Sequence, residues 1–253
     1  MTLTLALNSA ISGLSTAQAG LDVISHNIAN VNTEGFTRKV FEPESRVLAG
    51  MGVGVQLGDV RNSVDQNLLK DVREERSTFG RLDVKRAFLK RVQDMFGTTT
   101  SNSTISHRVN NLQNDWEALA TEPEKATTHG SAVQAGITVA DQLARMSKTV
   151  QGLRLDADRE IERAVQEMNG LLSSISNIND QIALNAATGR QTEDLEDKRD
   201  VALNRLADMG DIQYFMNSNG AVTVFTSDGT TLVDSSPVAV SHVALSLVNA
   251  SHT

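Results

Sequence analysis

Two interleaved series of small and apolar side chains run through the first thirty residues, each stepping by seven. Leu7, Leu14, Leu21 and Ile28 form one series, and Leu3, Ala10, Ala17, Ile24 and Val31 form the other. The two alternate at steps of three and four, which is the a/d seam of a coiled coil. Between Thr2 and Thr33 the only formally charged side chain is Asp22; the outer face is otherwise mainly Ser, Thr, Asn, Gln, Gly and Ala. A helix surrounded by water carries Lys and Glu on that face. The spacing therefore predicts one helix over residues 3–31, contacted on several sides by other helices. A buried helix in a monomeric core is the alternative, and so narrow an apolar stripe disfavours it.

The helix is expected to end near Asn30. Residues 30–36 read as a turn, with Asn tolerant of left-handed backbone and Gly35 supplying positive φ. Residues 36–60 read as extended: Val53, Val55 and Leu57 alternate with glycines, whose bare face lets another chain come close. Helix returns over 64–96, with Val64, Leu68, Val72, Phe79, Leu82, Leu89, Val92 and Phe96 as its apolar face and a solvated mix of charges around it. After a polar loop at Thr98–Thr104, Ile105, Val109, Leu112, Trp116 and Leu119 mark a shorter helix, and Pro123 is suited to open the next. That one is expected from about Ser131 to Ala187, with Gly152 and Gly170 as places to bend. Asn179 falls where its seam should be apolar; it either fixes register or sits tolerated at a partly exposed site. Thr192 is expected to cap a helix running to about Asp208, with Glu193 and Asp194 in the first turn. Alternating residues around Asn219-Gly220 and Asp228-Gly229 then predict a β-meander, and 237–253 carries no end signal. The fold class is mainly α, a long antiparallel helical bundle or coiled coil with an extended β segment and a small β-meander. The expected domains are 1–35, 36–60, 61–210 and 211–253.

Little in the sequence supports catalysis. Gly-Lys never occurs, so there is no phosphate-binding loop of that type, and the five histidines are scattered without metal-ligand spacing. Cysteine is absent, which excludes disulfides and thiolate metal sites. The densest charge cluster, Asp197-Lys198-Arg199-Asp200, reads as ion pairs within and between helices, and His26 as a packing or hydrogen-bonding residue. No cofactor or metal is expected. The net charge of −8 argues against nucleic-acid binding, and no apolar run is long enough for membrane insertion.

The stretch Gly20–Arg38 resembles the signature of the flagellar rod, hook and hook-associated axial proteins, Asn-Ile-Ala-Asn-x-Asn-Thr-x-Gly-[Tyr/Phe]-x-Arg/Lys. Its positions here are Asn27, Ile28, Asn30, Asn32, Thr33, Gly35 and Phe36, and Glu34 stands where the family usually has Pro. A second stretch is similar to the hook-associated protein 1 family in particular: Val165–Asn169, Ile175, Ile178–Ile182, Gly189, Asp194-Leu195, Asp197, Arg199-Asp200, Leu203 and Leu206, followed by the two glycine hairpins.

The resemblance implies a flagellin-like core and a structural, non-enzymatic subunit at the hook–filament junction. It implies export through the flagellar type III apparatus with an uncleaved signal, an export chaperone, and a secreted, extracellular place in the flagellum. The implied partners are further copies in a ring, the hook protein, and the adjacent hook-associated protein on the filament side. The seam residues Leu3, Leu7, Ala10, Leu14, Ala17, Leu21, Ile24, Ile28 and Val31 become the assembly interface. In the family this helix pairs with one from the far end of the chain. No second seam matching it is evident here, so the resemblance implies an N-terminal portion. A hook or distal rod subunit and a cytoplasmic coiled-coil adaptor are the competing readings.

Overall fold

The computed structural model describes residues 3–48, 51–98, 102 and 104–244, without the side chains of 48, 51 and 57. The expectation for Leu57, most of the 98–104 loop and the end of the chain past 244 therefore lie outside the described residues. The elements run α1 (Leu3–Ala29), β1 (Lys39–Leu48), β2 (Met51–Asn62), α2 (Gln66–Phe96), α3 (Ile105–Thr121), α4 (Ala126–Ala187), α5 (Glu193–Met209), β3 (Ile212–Met216), β4 (Val222–Thr226) and β5 (Thr231–Val233). The mainly α class, the N-terminal helix, the β segment and the meander are as predicted. The chain forms two units, one of Met1–Gly80 with Glu167–Val240 and one of Arg81–Gln166 with Ser241–Thr253.

In the first unit the extended segment is more than a connector. β1 and β2 pair antiparallel from Lys39↔Asn62 to Leu48↔Met51, with an irregularity at Pro43, which cannot donate to a ladder. α1 lies on this hairpin. Of the strand glycines, Gly54 admits α1 of the same chain, whereas Gly58 faces the Glu42 carbonyl of its own hairpin and nothing lies within 4 Å of a Cβ on Gly52. A Cβ on Gly54 would stand 2.2 Å from the Ser12 hydroxyl, and one on Gly20 of α1 would stand 2.5 Å from the Phe41 ring. The Val55 N–H donates to Ser12 Oγ at 3.1 Å, and that hydroxyl donates to the Ser9 carbonyl at 2.9 Å.

The apolar core lies where α4, α5 and the meander meet: Leu172 and Ile175, Ala202, Leu203 and Leu206, and Val222, Val224, Leu232 and Val233. The β3-β4-β5 sheet is antiparallel in that order, with Tyr214 opposite Val224 and Val224 opposite Val233. Asn179 is not a tolerated, partly exposed residue. It is buried, its Nδ2 donates to the Val222 carbonyl at 2.8 Å, and its Oδ1 accepts the Val222 N–H at 3.0 Å. The carboxamide thus treats Val222 as a neighbouring strand would, and satisfies both of its backbone groups where water is excluded. Asn169, ten residues earlier on α4, holds Val240 in the same way, with both bonds 2.8 Å.

The charges of α2 are solvated with local pairs such as Arg86–Asp83 and Lys90–Asp94, as expected, except at Arg73. Arg73 is buried; its Nε donates to Asn204 Oδ1 at 2.8 Å, its Nη2 lies 3.2 Å from Asp200, and it stacks on the Tyr214 ring. Arg76 donates through two nitrogens to Asp208, at 2.7 and 2.6 Å. These hydrogen bonds hold the Asp208 carboxyl below, and the Arg76 guanidinium above, their ordinary values. What the residues could not reveal is that α5 carries the matching carboxylates, Asp200 and Asp208.

In the second unit α3 starts where Thr104 Oγ1 accepts the His107 N–H at 3.2 Å, a side-chain cap. α4 begins at Ala126, earlier than predicted, and continues through Gly152 and Gly170 as one helix of 62 residues. The turn before it is organised by Thr128 Oγ1, which donates to the carbonyls of Glu122 and Lys125, so the helix needs no apolar residue to begin. His242 Nε2 lies 2.9 Å from Asp158 Oδ1 of α4.

Two stability changes follow. Asn179→Leu strands a buried donor and acceptor on Val222 and should cost about 2–4 kcal/mol in urea unfolding; a loss below about 0.5 kcal/mol would mean that water replaces the carboxamide. Asp208→Asn should cost less than about 1 kcal/mol at neutral pH, because the pair is half exposed. Since the folded carboxyl titrates below its unfolded value of about 3.9, its contribution is present above that pH and lost as pH falls through the folded value. The variant's stability should therefore fall less steeply below about pH 4 than that of the parent.

Candidate assembly interface

The turn after α1 is held by a short set of polar contacts. Asn27 Nδ2 donates to the Lys39 carbonyl at 2.9 Å and its Oδ1 accepts the Lys39 N–H at 2.8 Å, a third carboxamide clamp. Asn30 Nδ2 donates to the His26 carbonyl at 3.0 Å, Thr33 N–H to the Asn30 carbonyl at 2.9 Å, and Phe36 N–H to the Thr33 carbonyl at 3.1 Å. The Phe36 ring meets the His26 ring edge-on at 5.5 Å. Gly35 has φ +75°, and a Cβ there would stand 2.0 Å from the Val201 side chain of α5. Glycine is required on both counts. Glu34, in the usual Pro position, is exposed and lies 3.5 Å from Arg205.

Beyond the turn the chain docks on the first turns of α5. Thr37 donates to Asp197 through its hydroxyl at 2.5 Å and its N–H at 3.1 Å. Lys39 Nζ donates to the same carboxylate and, at 3.1 Å, to the Glu193 carbonyl, and lies over the Phe36 ring. Lys39 and Asp197 are both buried, so each depends on the other for its charge to be tolerated. Burial pushes the neighbouring Glu193 carboxyl up. Thr192 precedes α5 as expected, yet it does not cap it with its side chain: the hydroxyl donates to Glu196 Oε1 at 2.9 Å. Of the 197–200 cluster, Asp200 does pair between helices, with Arg73; Asp197 serves the turn and β1, and Arg199 donates to the Gly220 carbonyl at 2.8 Å. The roles of Thr37, Lys39 and Asp197 were not read from the sequence. The one signal was the density of charge at 197–200.

Above this anchor α1 turns its polar side inward. Thr16 and Gly20 are its buried residues, and Leu5, Ser9, Ser12, Gly13, Ala19, Val23, His26 and Asn27 are half-buried. All nine seam positions, Leu3, Leu7, Ala10, Leu14, Ala17, Leu21, Ile24, Ile28 and Val31, are exposed on the other side, with Leu14 at 71% and Leu21 at 64%. Of the motif residues, Asn27, Asn30, Thr33, Gly35 and Phe36 come together in the turn, Ile28 belongs to the seam, and Asn32 is exposed. Among the described residues no group of three His, Cys, Asp or Glu could hold a metal, and no helix is long and apolar enough to cross a membrane.

Residues 89–250 match the family model described as flagellar hook-associated protein FlgK helical domain. The chain belongs to the flagellar hook-associated protein FlgK family. A second model, described as flagella basal body rod protein, matches residues 7–37, which are α1 and the anchored turn. Flagellar hook-associated protein 1 of Bacillus subtilis is 26% identical over 90% of this FlgK-family chain and 47% of its own length. That of Salmonella typhimurium is 27% identical over 91% of this chain and 42% of its own. The chain thus spans less than half the length of these relatives. The solved structure of the flagellar hook junction protein FlgK from Burkholderia pseudomallei shares the fold, with a TM-score of 0.58 over 67% of this chain and 29% of that one at 24% identity.

The anchor makes its own predictions. Asp197→Ala leaves the buried Lys39 with only the more distant, exposed Asp194 carboxylate at 3.7 Å and should cost up to about 3–5 kcal/mol in urea unfolding. Gly35→Ala should destabilise comparably or more, and adding Val201→Ala should recover only part of the loss, because the positive φ is still strained. Full recovery would show that the close approach alone requires glycine.

Proposed function

We propose that this chain is a structural subunit of the junction between hook and filament and assembles through the exposed face of α1. One observation carries the reading: α1 packs on its own hairpin with Ser, Thr and Gly, and leaves all nine seam positions in water. A helix serving a monomer's core would be turned the other way, since each fully buried Leu or Ile side chain stabilises by about 1.5–3 kcal/mol. That stabilisation is available to this face only when another helix covers it, so assembly and burial coincide. The polar anchor at 27–39 fixes the direction in which the face is presented. The family relationship and the rod-type motif support a place among the axial proteins, and the names of the relatives support the junction.

On this reading the subunit is exported through the flagellar type III apparatus with the help of a chaperone and takes its place in an extracellular ring between the hook protein and the next hook-associated protein. Its role is mechanical, not catalytic. Leu14→Asp and Leu21→Asp test it. Both side chains are exposed, so the isolated chain should keep its helical circular dichroism and melt within about 2 °C of the parent. In cells either variant should fail to join the flagellum, seen as loss of immunogold label at the hook tip and loss of swimming. Normal incorporation of both variants would overturn the seam reading.

A further inference from the structure

The dipeptide Asn-Gly occurs twice in the sequence, at 169–170 and at 219–220. It is open to one self-reaction, attack of the glycine's backbone nitrogen on the asparagine's side-chain carbonyl carbon. Glycine has no side chain to shield that nitrogen, and its backbone turns with little strain. The two dipeptides are alike in sequence and are held in opposite ways by the fold.

Gly220 lies in the turn between β3 and β4, with φ +82°. Beyond it the Ala221 N–H donates to Asn219 Oδ1 at 3.1 Å, so the carboxamide reaches forward over the Gly220 peptide. The ring closed by this hydrogen bond contains both the Asn219 Cγ that would be attacked and the Gly220 nitrogen that would attack it, which keeps the two atoms near neighbours. The same N–H polarises the side-chain carbonyl and is placed to hold its oxygen as negative charge gathers there. Opposing the reaction is one hydrogen bond, from the Gly220 N–H to the Asn217 carbonyl at 3.0 Å, which loosening of that single turn releases.

Asn169 has no such freedom. Both ends of its carboxamide are committed to Val240, each bond 2.8 Å, and it stands within the unbroken helix α4. A helical N–H is directed to the carbonyl of the preceding turn, so the Gly170 nitrogen is freed only by opening helix and clamp together. The turn at Asp228-Gly229 supplies the opposite contrast, like geometry with a different side chain. Gly229 has φ +88°, its N–H donates to the Thr226 carbonyl at 2.9 Å, and the Thr230 N–H donates to Asp228 Oδ1 at 3.3 Å. A carboxylate is a poor target for a nucleophile, and the Thr226 hydroxyl together with the Thr230 N–H holds this one ionised, below the usual carboxylate range.

We propose that Asn219 is a site of intramolecular deamidation in the folded chain. The Gly220 nitrogen gives its proton to hydroxide and bonds to Asn219 Cγ; the bond from Cγ to Nδ2 breaks, and ammonia leaves with a proton from water, giving a cyclic imide. Water then opens the imide on one side to aspartate, or on the other to isoaspartate, with the main chain rerouted through the former side chain. No electrons are gained or lost. Isoaspartate lengthens the main chain where the turn is most closely fitted: the Gly220 carbonyl accepts from the buried Arg199 at 2.8 Å, and a Cβ on Gly220 would stand 2.9 Å from Ile182. The inference does not rest on the role of α1.

The test incubates the whole chain at mildly alkaline pH, folded and in parallel in urea. Peptide mass spectrometry reads conversion at each asparagine, and enzymatic methyl labelling reads isoaspartate. In urea the two Asn-Gly sites should convert at similar rates. On folding, Asn219 should stay within about three-fold of its unfolded rate, while Asn169 should slow at least roughly ten-fold. Asn219→Gln, whose ring would need a further member, should remove the isoaspartate signal of the folded chain. Folding that slows Asn219 as much as Asn169, or an isoaspartate signal that survives Asn219→Gln, would overturn the proposal.

Discussion

A side-chain carboxamide laid against one extended residue's backbone is the contact on which this structure rests. It occurs three times, Asn27 on Lys39, Asn169 on Val240 and Asn179 on Val222, each time with donor and acceptor both used. Lys39 and Val222 each have a strand partner on one side, Asn62 and Met216, and the carboxamide serves the backbone groups left over, while Val240 lies outside the named strands. Asparagine is the residue with the right pair of groups on a stem short enough to be rigid. The clamps fix where the hairpin sits on α1 and where the meander sits on α4, and the apolar contacts then fill in around positions already set.

A second regularity follows from the first. Because polar side chains make the internal joints, apolar ones are not all needed inside. α1 buries Thr16 and Gly20, while it faces water with leucine, isoleucine and valine. For a protein meant to remain alone this is a poor use of apolar surface, since exposed stripes of this size invite association. For a subunit it separates two tasks. Hydrogen bonds and the buried Lys39–Asp197 pair define the shape of the individual chain, and apolar area is kept for contacts between chains.

Period carried most of the fold into view. The helices, the meander and its two Asn/Asp-Gly turns follow from steps of seven, four and two in the residues themselves. Asn179 shows where period fails. At its position along α4 a seam residue should be apolar, and only the arrival of Val222, 43 residues later in the chain, makes the amide the better choice. Arg73 fails for the same reason, because its partners Asn204 and Asp200 lie on another helix. The seam of α1 was legible because it is almost free of charge.

Where α1 and the hairpin come closest, Ser12 and Gly20 of the helix meet Gly54 and the Phe41 ring, so the closest contacts have little relief. Helices normally lock by setting ridges of large side chains into grooves, and moving one along another means lifting those ridges over each other. Here there is little to lift. Axial position is set by two hydrogen-bonded points, Asn27 at one end and Ser12 nearer the other. A joint of that kind resists being pulled apart more than it resists a small slip along its length.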